Sequence, residues 1–350
     1  MPFPVKGIAT QGATEKLGAF DFERRDPNED DVHIEITYAG ICHSDIHSAR
    51  SEWGPAMYPM VPGHEIVGRV KAVGGKVSKH KVGDLVGVGC FVDSCRECQY
   101  CKEGEEQYCA PGCTMTYNSL ERDGKTPTFG GYSTDIVVKE DYVVGVPANL
   151  DEKGVAPLLC AGITTYHPLK KAGVTKGHKL AVVGLGGLGH MAVKIGAAFG
   201  AEVTVLSRTA GKEADAARLG ASHFLITTDD AAMAKAAMTF DFVLDTVSAK
   251  HDYSQLLGLL KTRGQMLVVG APPEPVDVSA FMLLFKGRSI SGSLIGGIAE
   301  TQEMLDFCGK HNIVSDVEVI KGDYVNEAYE RMLKSDVKYR FVIDIASLKQ

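Results

Sequence analysis

An apolar stretch, Lys179-Leu180-Ala181-Val182-Val183, runs straight into Gly184-Leu185-Gly186-Gly187-Leu188-Gly189. An amphipathic segment follows, with Leu188, Met191, Ala192, Ile195 and Phe199 at helical spacing. A buried strand, a glycine turn and a helix in immediate succession constrain this chain more than any other feature. Glycines in the order G-x-G-x-x-G allow the tight turn and let backbone come close to a pyrophosphate at the helix N-terminus. The hexapeptide alone is a weak signal among 39 glycines, and the flanking strand and helix give it meaning. A second strand at residues 202–206 follows the break at Gly200. Further strand candidates lie at 223–226, 242–245, 266–270 and 289–293. Six strands with intervening helices predict an α/β unit with a doubly wound parallel sheet, the Rossmann architecture.

The end of the second strand bears on the choice of dinucleotide. NAD enzymes commonly place a carboxylate there for the ribose 2′-OH. This chain has Ser207-Arg208-Thr209-Ala210-Gly211-Lys212, without an acid. A hydroxyl, a guanidinium and an ammonium suit a 2′-phosphate, and therefore NADP(H). The alternative is an ordinary basic surface turn.

At 350 residues the chain is too long for one simple core and suggests two domains. A net charge of −7 without a basic stripe argues against a nucleic-acid partner. The start, Met1-Pro2-Phe3-Pro4-Val5-Lys6, lacks a signal pattern, and no apolar run reaches transmembrane length. A cytoplasmic protein without a membrane partner is expected. In such a compartment the nine cysteines suggest metal thiolates over disulfides.

Four of them form Cys95-x2-Cys98-x2-Cys101-x7-Cys109, the strongest metal signal in the chain. With no histidine in the set, a closed four-thiolate zinc site is expected, and an iron–sulfur cluster is the alternative. A second candidate set is dispersed. His64 sits in Gly63-His64-Glu65-Ile66-Val67-Gly68, Cys42 in Cys42-His43-Ser44-Asp45-Ile46-His47, and Cys160 in Ala156-Pro157-Leu158-Leu159-Cys160-Ala161-Gly162. Taken singly, each reads as a core residue. Together, two thiolates and one imidazole suit an open zinc site whose fourth position is left for water or substrate. Cys90, Cys113 and Cys308 receive no role.

The run from Gly63 to Val77, with Gly68 and Gly74 in step, resembles the signature of zinc-containing alcohol dehydrogenases of the medium-chain family. The similarity extends over essentially the whole chain and is greatest to the cinnamyl-alcohol-dehydrogenase-like branch and its bacterial NADP-dependent aldehyde reductases. The Cys2His set is that of alcohol dehydrogenase itself. The resemblance implies a Rossmann domain, residues 153–294, inserted into a mostly β, GroES-like catalytic domain of residues 1–152 plus 295–350. It implies one catalytic zinc on Cys42, His64 and Cys160 and one structural zinc on Cys95, Cys98, Cys101 and Cys109, with zinc and nicotinamide in the cleft between the domains. Ser44 and His47 then form a proton relay by way of the cofactor ribose. Asp45 holds the imidazole of His64, and Glu65 sits near the metal.

Cofactor contacts implied in the same way are Thr164, Gly184, Leu185, Gly186, Gly187, Leu188, Gly189, Ser207, Arg208, Lys212, Thr246, Gly270, Ser293 and Ile295. Arg340 is added on the pyrophosphate. Trp53 and Phe91, large and apolar beside metal-binding segments, are expected to line the substrate pocket. The implied reaction is reversible hydride transfer between NADP(H) and a primary alcohol or aldehyde, aromatic or medium aliphatic, by a homodimer. A zinc polyol or secondary-alcohol dehydrogenase is the alternative within the superfamily, and a non-enzymatic zinc-stapled nucleotide-binding module the alternative outside it.

Overall fold

The computed structural model describes residues 2–349. It falls into two compact units, residues through Ile163 together with those from Gly296 onward, and Thr164–Ile295.

The second unit carries a six-stranded, all-parallel sheet. Its order from edge to edge is His223–Ile226, Glu202–Ser207, Lys179–Val183, Phe240–Asp245, Leu260–Val268 and Ser289–Gly292. Leu180, Ala181 and Val182 are fully buried, as a continuous apolar strand covered on both faces requires. On the Phe240–Asp245 side, Tyr253, Leu256, Leu257 and Leu260 close one core over Val243 and Met266. The chain winds outward from Lys179–Val183 to one edge, then returns to Phe240–Asp245 and winds to the other. That reversal leaves a crevice at the carboxyl ends of these two strands, where open α/β sheets bind ligands. The glycine turn lies there. Gly184 has φ +86°, and a Cβ at Gly189 would lie 2.1 Å from the Gly184 carbonyl oxygen, so the turn admits no side chain at either position.

The first unit is built on a seven-stranded, mostly antiparallel sheet. Strand Asp31–Gly40 pairs with Ile66–Val73, Asp135–Lys139 and Arg340–Asp344. Leu85–Val88 and Val144–Gly145 extend one side, and Val317–Ile320 runs parallel to Arg340–Asp344 on the other. Val32, Ile34 and Ile36 are buried, and their strand delivers Gly40-Ile41-Cys42 to its end. Among the described residues no helix is long and apolar enough to cross a membrane.

The units divide at Ile163/Thr164 and Ile295/Gly296, later than the 152/153 and 294/295 boundaries expected from sequence. The physical reason lies in what residues 153–163 pack against. A Cβ at Gly154 would strike Val314, and the Leu159 side chain lies against Gly87, both in the first unit. Cys160 is therefore held in the same unit as Cys42 and His64.

Candidate functional site

Cys42 caps helix His43–Ala49 in extended conformation, and its N–H donates to Asp45 Oδ2 at 2.8 Å. Asp45 is fully buried and collects donors from three segments. The Gly63 N–H donates to Oδ1 at 3.1 Å and the Tyr132 hydroxyl to Oδ2 at 3.1 Å, while His64 Nδ1 lies 3.3 Å from Oδ1. With Nδ1 facing a carboxylate, His64 presents Nε2 to a metal. The Tyr329 hydroxyl stands 3.5 Å behind that of Tyr132. Gly63 is needed here for a further reason. Its φ is +104°, and a Cβ would lie 2.6 Å from the Tyr132 ring.

Cys160 sits at the break between the 3-10 turn Ala156–Leu159 and helix Ala161–Lys171. Its Sγ is 3.9 Å from that of Cys42. Two sulfurs each ~2.3 Å from one tetrahedral zinc would stand roughly 3.8 Å apart, so the separation fits. Donor atoms of Cys42, His64, Glu65 and Cys160 all lie within 4.8 Å of one another, and all four residues are buried. Glu65 Oε1 accepts from Arg340 Nη2, while Oε2 is buried without a hydrogen-bond partner. That orphaned oxygen, an imidazole and two sulfurs form a donor set suited to zinc.

The buried groups of this cluster are electrostatically coupled, and the Cys160 thiol is pushed well above its ordinary value by Cys42, Cys90 and burial. The Cys160 side chain draws the Cys42 thiol well below its ordinary value, against the effect of burial. Burial opposes a charged His64, yet the neighbouring Cys90 and Asp45 outweigh it and hold the imidazole well above its usual range. Burial pushes the Glu65 carboxyl up to about 8 against the pull of Arg340.

Ser44 and His47 both lie on helix His43–Ala49, with Ser44 Oγ 3.5 Å from Cys42 Sγ. Two partners of His47 escaped the sequence reading. Glu52 Oε2 stands 2.5 Å from His47 Nδ1, and Trp53 stacks on the ring with centroids 4.7 Å apart. The tight turn that returns the Glu52 N–H to the His47 carbonyl is the local cause. Trp53 is 59% exposed and covers the outer side of this histidine. Phe91 does not fulfil its expected place in a pocket. It is 2% exposed and packs edge-on against Tyr142, because its short strand turns that side chain into the core. Cys90, given no role from sequence, is buried, and its thiol is drawn below its ordinary value chiefly by Cys160.

The four-cysteine segment also closes on itself. Sγ of Cys95 and Cys101 are 3.8 Å apart, those of Cys98 and Cys101 3.5 Å. Backbone N–H groups of Cys98 and Cys95 point to the sulfurs of Cys95 and Cys109, each at 3.3 Å. Amides of Ala110 and then Cys101 bring the Cys98 thiol down to about 6. Donors from all four residues lie within 4.8 Å of one another, a closed set with no open position.

In the second unit, Gly186 caps helix Gly187–Ala198 without a side-chain partner for the first N–H groups, as a phosphate site at a helix start requires. Leu185 is buried, Leu188 and Gly189 lie in the first turns of that helix, and Ser207 ends its strand at the neighbouring position. Arg208 is exposed, and Lys212 Nζ reaches back to the Leu185 carbonyl at 2.9 Å. Thr246 Oγ1 donates to the Val183 carbonyl at 2.7 Å, and a Cβ at Gly270 would lie 2.4 Å from the Val247 oxygen. Ser293 Oγ is buried and has no hydrogen-bond partner, while Thr164 and Ile295 are buried. Arg340 belongs to the first unit, 4% exposed and paired with Glu65, with its Nε unpartnered.

Comparisons with known proteins identify the family and the fold. The family described as alcohol dehydrogenase GroES-like domain matches residues 28–148, and that described as zinc-binding dehydrogenase matches residues 187–310. NADP-dependent alcohol dehydrogenase C 1 of Mycolicibacterium smegmatis is 55% identical over 99% of both chains. Among solved structures, cinnamyl alcohol dehydrogenase SbCAD4 from Sorghum bicolor aligns with a TM-score of 0.95 at 49% identity, covering 98% of each chain. CAD from Helicobacter pylori, in complex with NADP(H), aligns with a TM-score of 0.92 at 47% identity over 99% of each chain.

Proposed function

The chain belongs to the zinc-containing medium-chain alcohol dehydrogenase family, and on that premise we propose that it transfers hydride reversibly between NADP(H) and a primary alcohol or aldehyde, aromatic or medium aliphatic. The observation that carries the reading is the convergence of Cys42, His64 and Cys160, with Glu65, from separate segments onto one buried point. A zinc-stapled nucleotide-binding module gives no reason for that second cluster.

Bound at these groups, zinc would supply Lewis-acid polarisation of a carbonyl oxygen and the nicotinamide a hydride. The chain's own residues do the rest. Asp45 fixes the tautomer of His64, and the buried Arg340 offsets the negative charge of Glu65 and Cys42. Ser44 hands on the proton. His47, with Nδ1 held as a donor by Glu52, is left to take or give that proton at Nε2. Its stacking on Trp53 limits the rotation that would misalign Nε2. Two zinc ions per chain, one for each donor set, complete the assignment. The reduced thiols of both clusters suit a reducing compartment such as the cytoplasm.

NADP(H) is supported by Ser207, Arg208 and Lys212 and by the lack of a carboxylate at the strand end. Charge-assisted hydrogen bonds are worth roughly 1.5–3 kcal/mol each, and solvent exposure discounts them to about 3 kcal/mol in total. The preference for NADPH over NADH is then on the order of 100-fold. Nucleotide oxidation across benzaldehydes, cinnamaldehydes, aliphatic aldehydes, ketones and polyol-derived substrates tests activity and substrate class together. Ser207→Asp is expected to shift preference toward NADH mainly through the Michaelis constant for NADPH. Equal efficiency with both nucleotides in the unmodified protein would remove the 2′-phosphate assignment.

A homodimer is supported by the outer strand Ser289–Gly292, whose far edge is unpaired among the described residues. Beside it in sequence, Phe281, Leu284 and Phe285 are 64%, 71% and 76% exposed. An open strand edge next to an apolar patch is the surface a second copy would cover. Light scattering is expected to give twice the chain mass, and Leu284→Lys combined with Phe285→Glu to give the monomer. A monomeric unmodified protein would end this reading.

A further inference from the structure

Asp245 ends the strand Phe240–Asp245 and is fully buried, although no metal-binding residue or proposed relay group lies near it in sequence. Its Oδ1 accepts the Val247 N–H at 3.1 Å. Its Oδ2 lies 3.1 Å from His251 Nε2, at an angle short of a hydrogen bond, and neither atom has a hydrogen-bond partner. The other ring nitrogen, Nδ1, lies 2.8 Å from the Ala249 carbonyl oxygen. A carbonyl only accepts, so Nδ1 carries a proton. Nε2 faces a carboxylate that burial would leave uncompensated without a cation beside it. Both ring nitrogens thus face oxygen acceptors, an arrangement that suits the doubly protonated imidazole as the cation beside Asp245.

The loop between these two residues is keyed into the glycine turn. Thr246 donates to the Val183 carbonyl through its backbone N–H at 3.3 Å and through Oγ1 at 2.7 Å. A Cβ at Gly184 would lie 3.0 Å from Val247 Cγ2 and 3.3 Å from Thr246 Oγ1, and one at Gly189 would lie 3.4 Å from that hydroxyl. Thr246 and Val247 therefore form the floor on which the turn rests. We infer that His251 and Asp245 form an imidazolium–carboxylate pair that holds Thr246 and Val247 against the glycine turn, making His251 a positioning residue for dinucleotide binding. The inference rests on the reading of that turn as the cofactor site.

The groups around the ring are Asp245, Asp252 and Tyr253, the last with its ring 5.1 Å away, and Lys250, whose ammonium lies 3.2 Å from Glu274. The Asp245 carboxylate beside the ring raises the His251 pKa above its ordinary 6.5, and partial burial opposes it. A raised pKa means that the pair is intact at lower pH and lost as pH rises through that value. Cofactor affinity should follow the same course.

The test is the dissociation constant of NADPH and NADH, read by nucleotide fluorescence with the zinc-loaded full chain from neutral to alkaline pH. NADH is the matched control because the phosphate monoester of NADPH itself titrates near ~6. His251→Ala is expected to weaken both nucleotides about tenfold at neutral pH, with turnover at saturating cofactor nearly unchanged. The wild-type loss of affinity with rising pH should vanish in this variant. His251→Gln, which keeps a neutral donor, should recover part of the affinity without the pH dependence. Wild-type affinities in both variants, or an unchanged pH slope, would overturn the inference. Failure of the unmodified protein to bind either nucleotide would instead overturn the cofactor reading. Should the variants not fold, a long-range proton–nitrogen spectrum of the histidine-labelled wild type decides. A doubly protonated His251 at neutral pH supports the pair, and a neutral ring overturns it.

Discussion

Replacing Cys160 by alanine is expected to leave a folded chain that retains the zinc of the four-cysteine segment, loses the other and turns over no aldehyde. Cys160 is one of two sulfurs in its cluster, and without it Cys42 is the single thiolate left beside His64 and Glu65. The surrounding fold does not depend on it. The sheet beside the cluster is held by strand pairing from Arg340–Asp344 through Asp31–Gly40 to Ile66–Val73, and Asp45 keeps its partners from Cys42, Gly63 and Tyr132. Cys98→Ala should behave in the opposite way. Its segment has little regular structure of its own, a single helical turn at Gln99–Lys102, a 3-10 turn at Glu106–Tyr108 and the two-residue strand Thr114–Met115. Such a lobe draws its order from the metal, since binding to a structural site is worth about 10–16 kcal/mol in small zinc domains and appears directly as folding free energy. Metal analysis, thermal unfolding and turnover, measured together, separate the two roles. Equal loss of folding in both variants would contradict the division.

Ser44→Ala is expected to cut turnover by about 10²–10⁴-fold, the usual contribution of a positioned proton transfer. Ser44 is half-buried on the helix that starts at Cys42, so its hydroxyl stands beside the metal donors and solvent cannot readily replace it. His47, near the surface with Glu52 and Trp53, is a different case. Water can stand in for an exposed terminal base, so His47→Ala should cost less than Ser44→Ala. Single-turnover rates at saturating NADPH and aldehyde isolate the step. Wild-type rates in Ser44→Ala would rule out the relay, and a larger loss from His47→Ala would reverse the order of the two residues.

Several features of this protein were legible in the order of its residues because their physics is local. A glycine turn needs adjacent residues without side chains, and the strand and helix flanking residues 184–189 stand where the apolar periodicity puts them. All six strands of the parallel sheet are legible for the same reason, with ends shifted by up to six residues, the largest shift being at the start of Leu260–Val268. The four cysteines between Cys95 and Cys109 are close in the chain and hence close in space. For Cys42, His64 and Cys160 the residues alone allowed a metal site, and family resemblance named it.

What the tertiary structure decided is the set of partners that only strand register can bring together. Gly40 pairs with Val342 on one side, while Ala39 pairs with Ile66 on the other. That register carries Arg340 to Glu65 across 275 residues of sequence, in a place where neither could be buried alone. It likewise gathers Gly63 and Tyr132 onto Asp45. The separate pairing of Phe91–Asp93 with Thr114–Met115 turns Phe91 into the core where sequence places it in a pocket. His251 escaped notice because a histidine in a polar loop looks solvated. Only the fold shows that the strand before it ends in a buried carboxylate needing a cation. Spacing along the chain reports turns and short chelates. Desolvation, which determines which charges must meet, is settled only when the chain has folded.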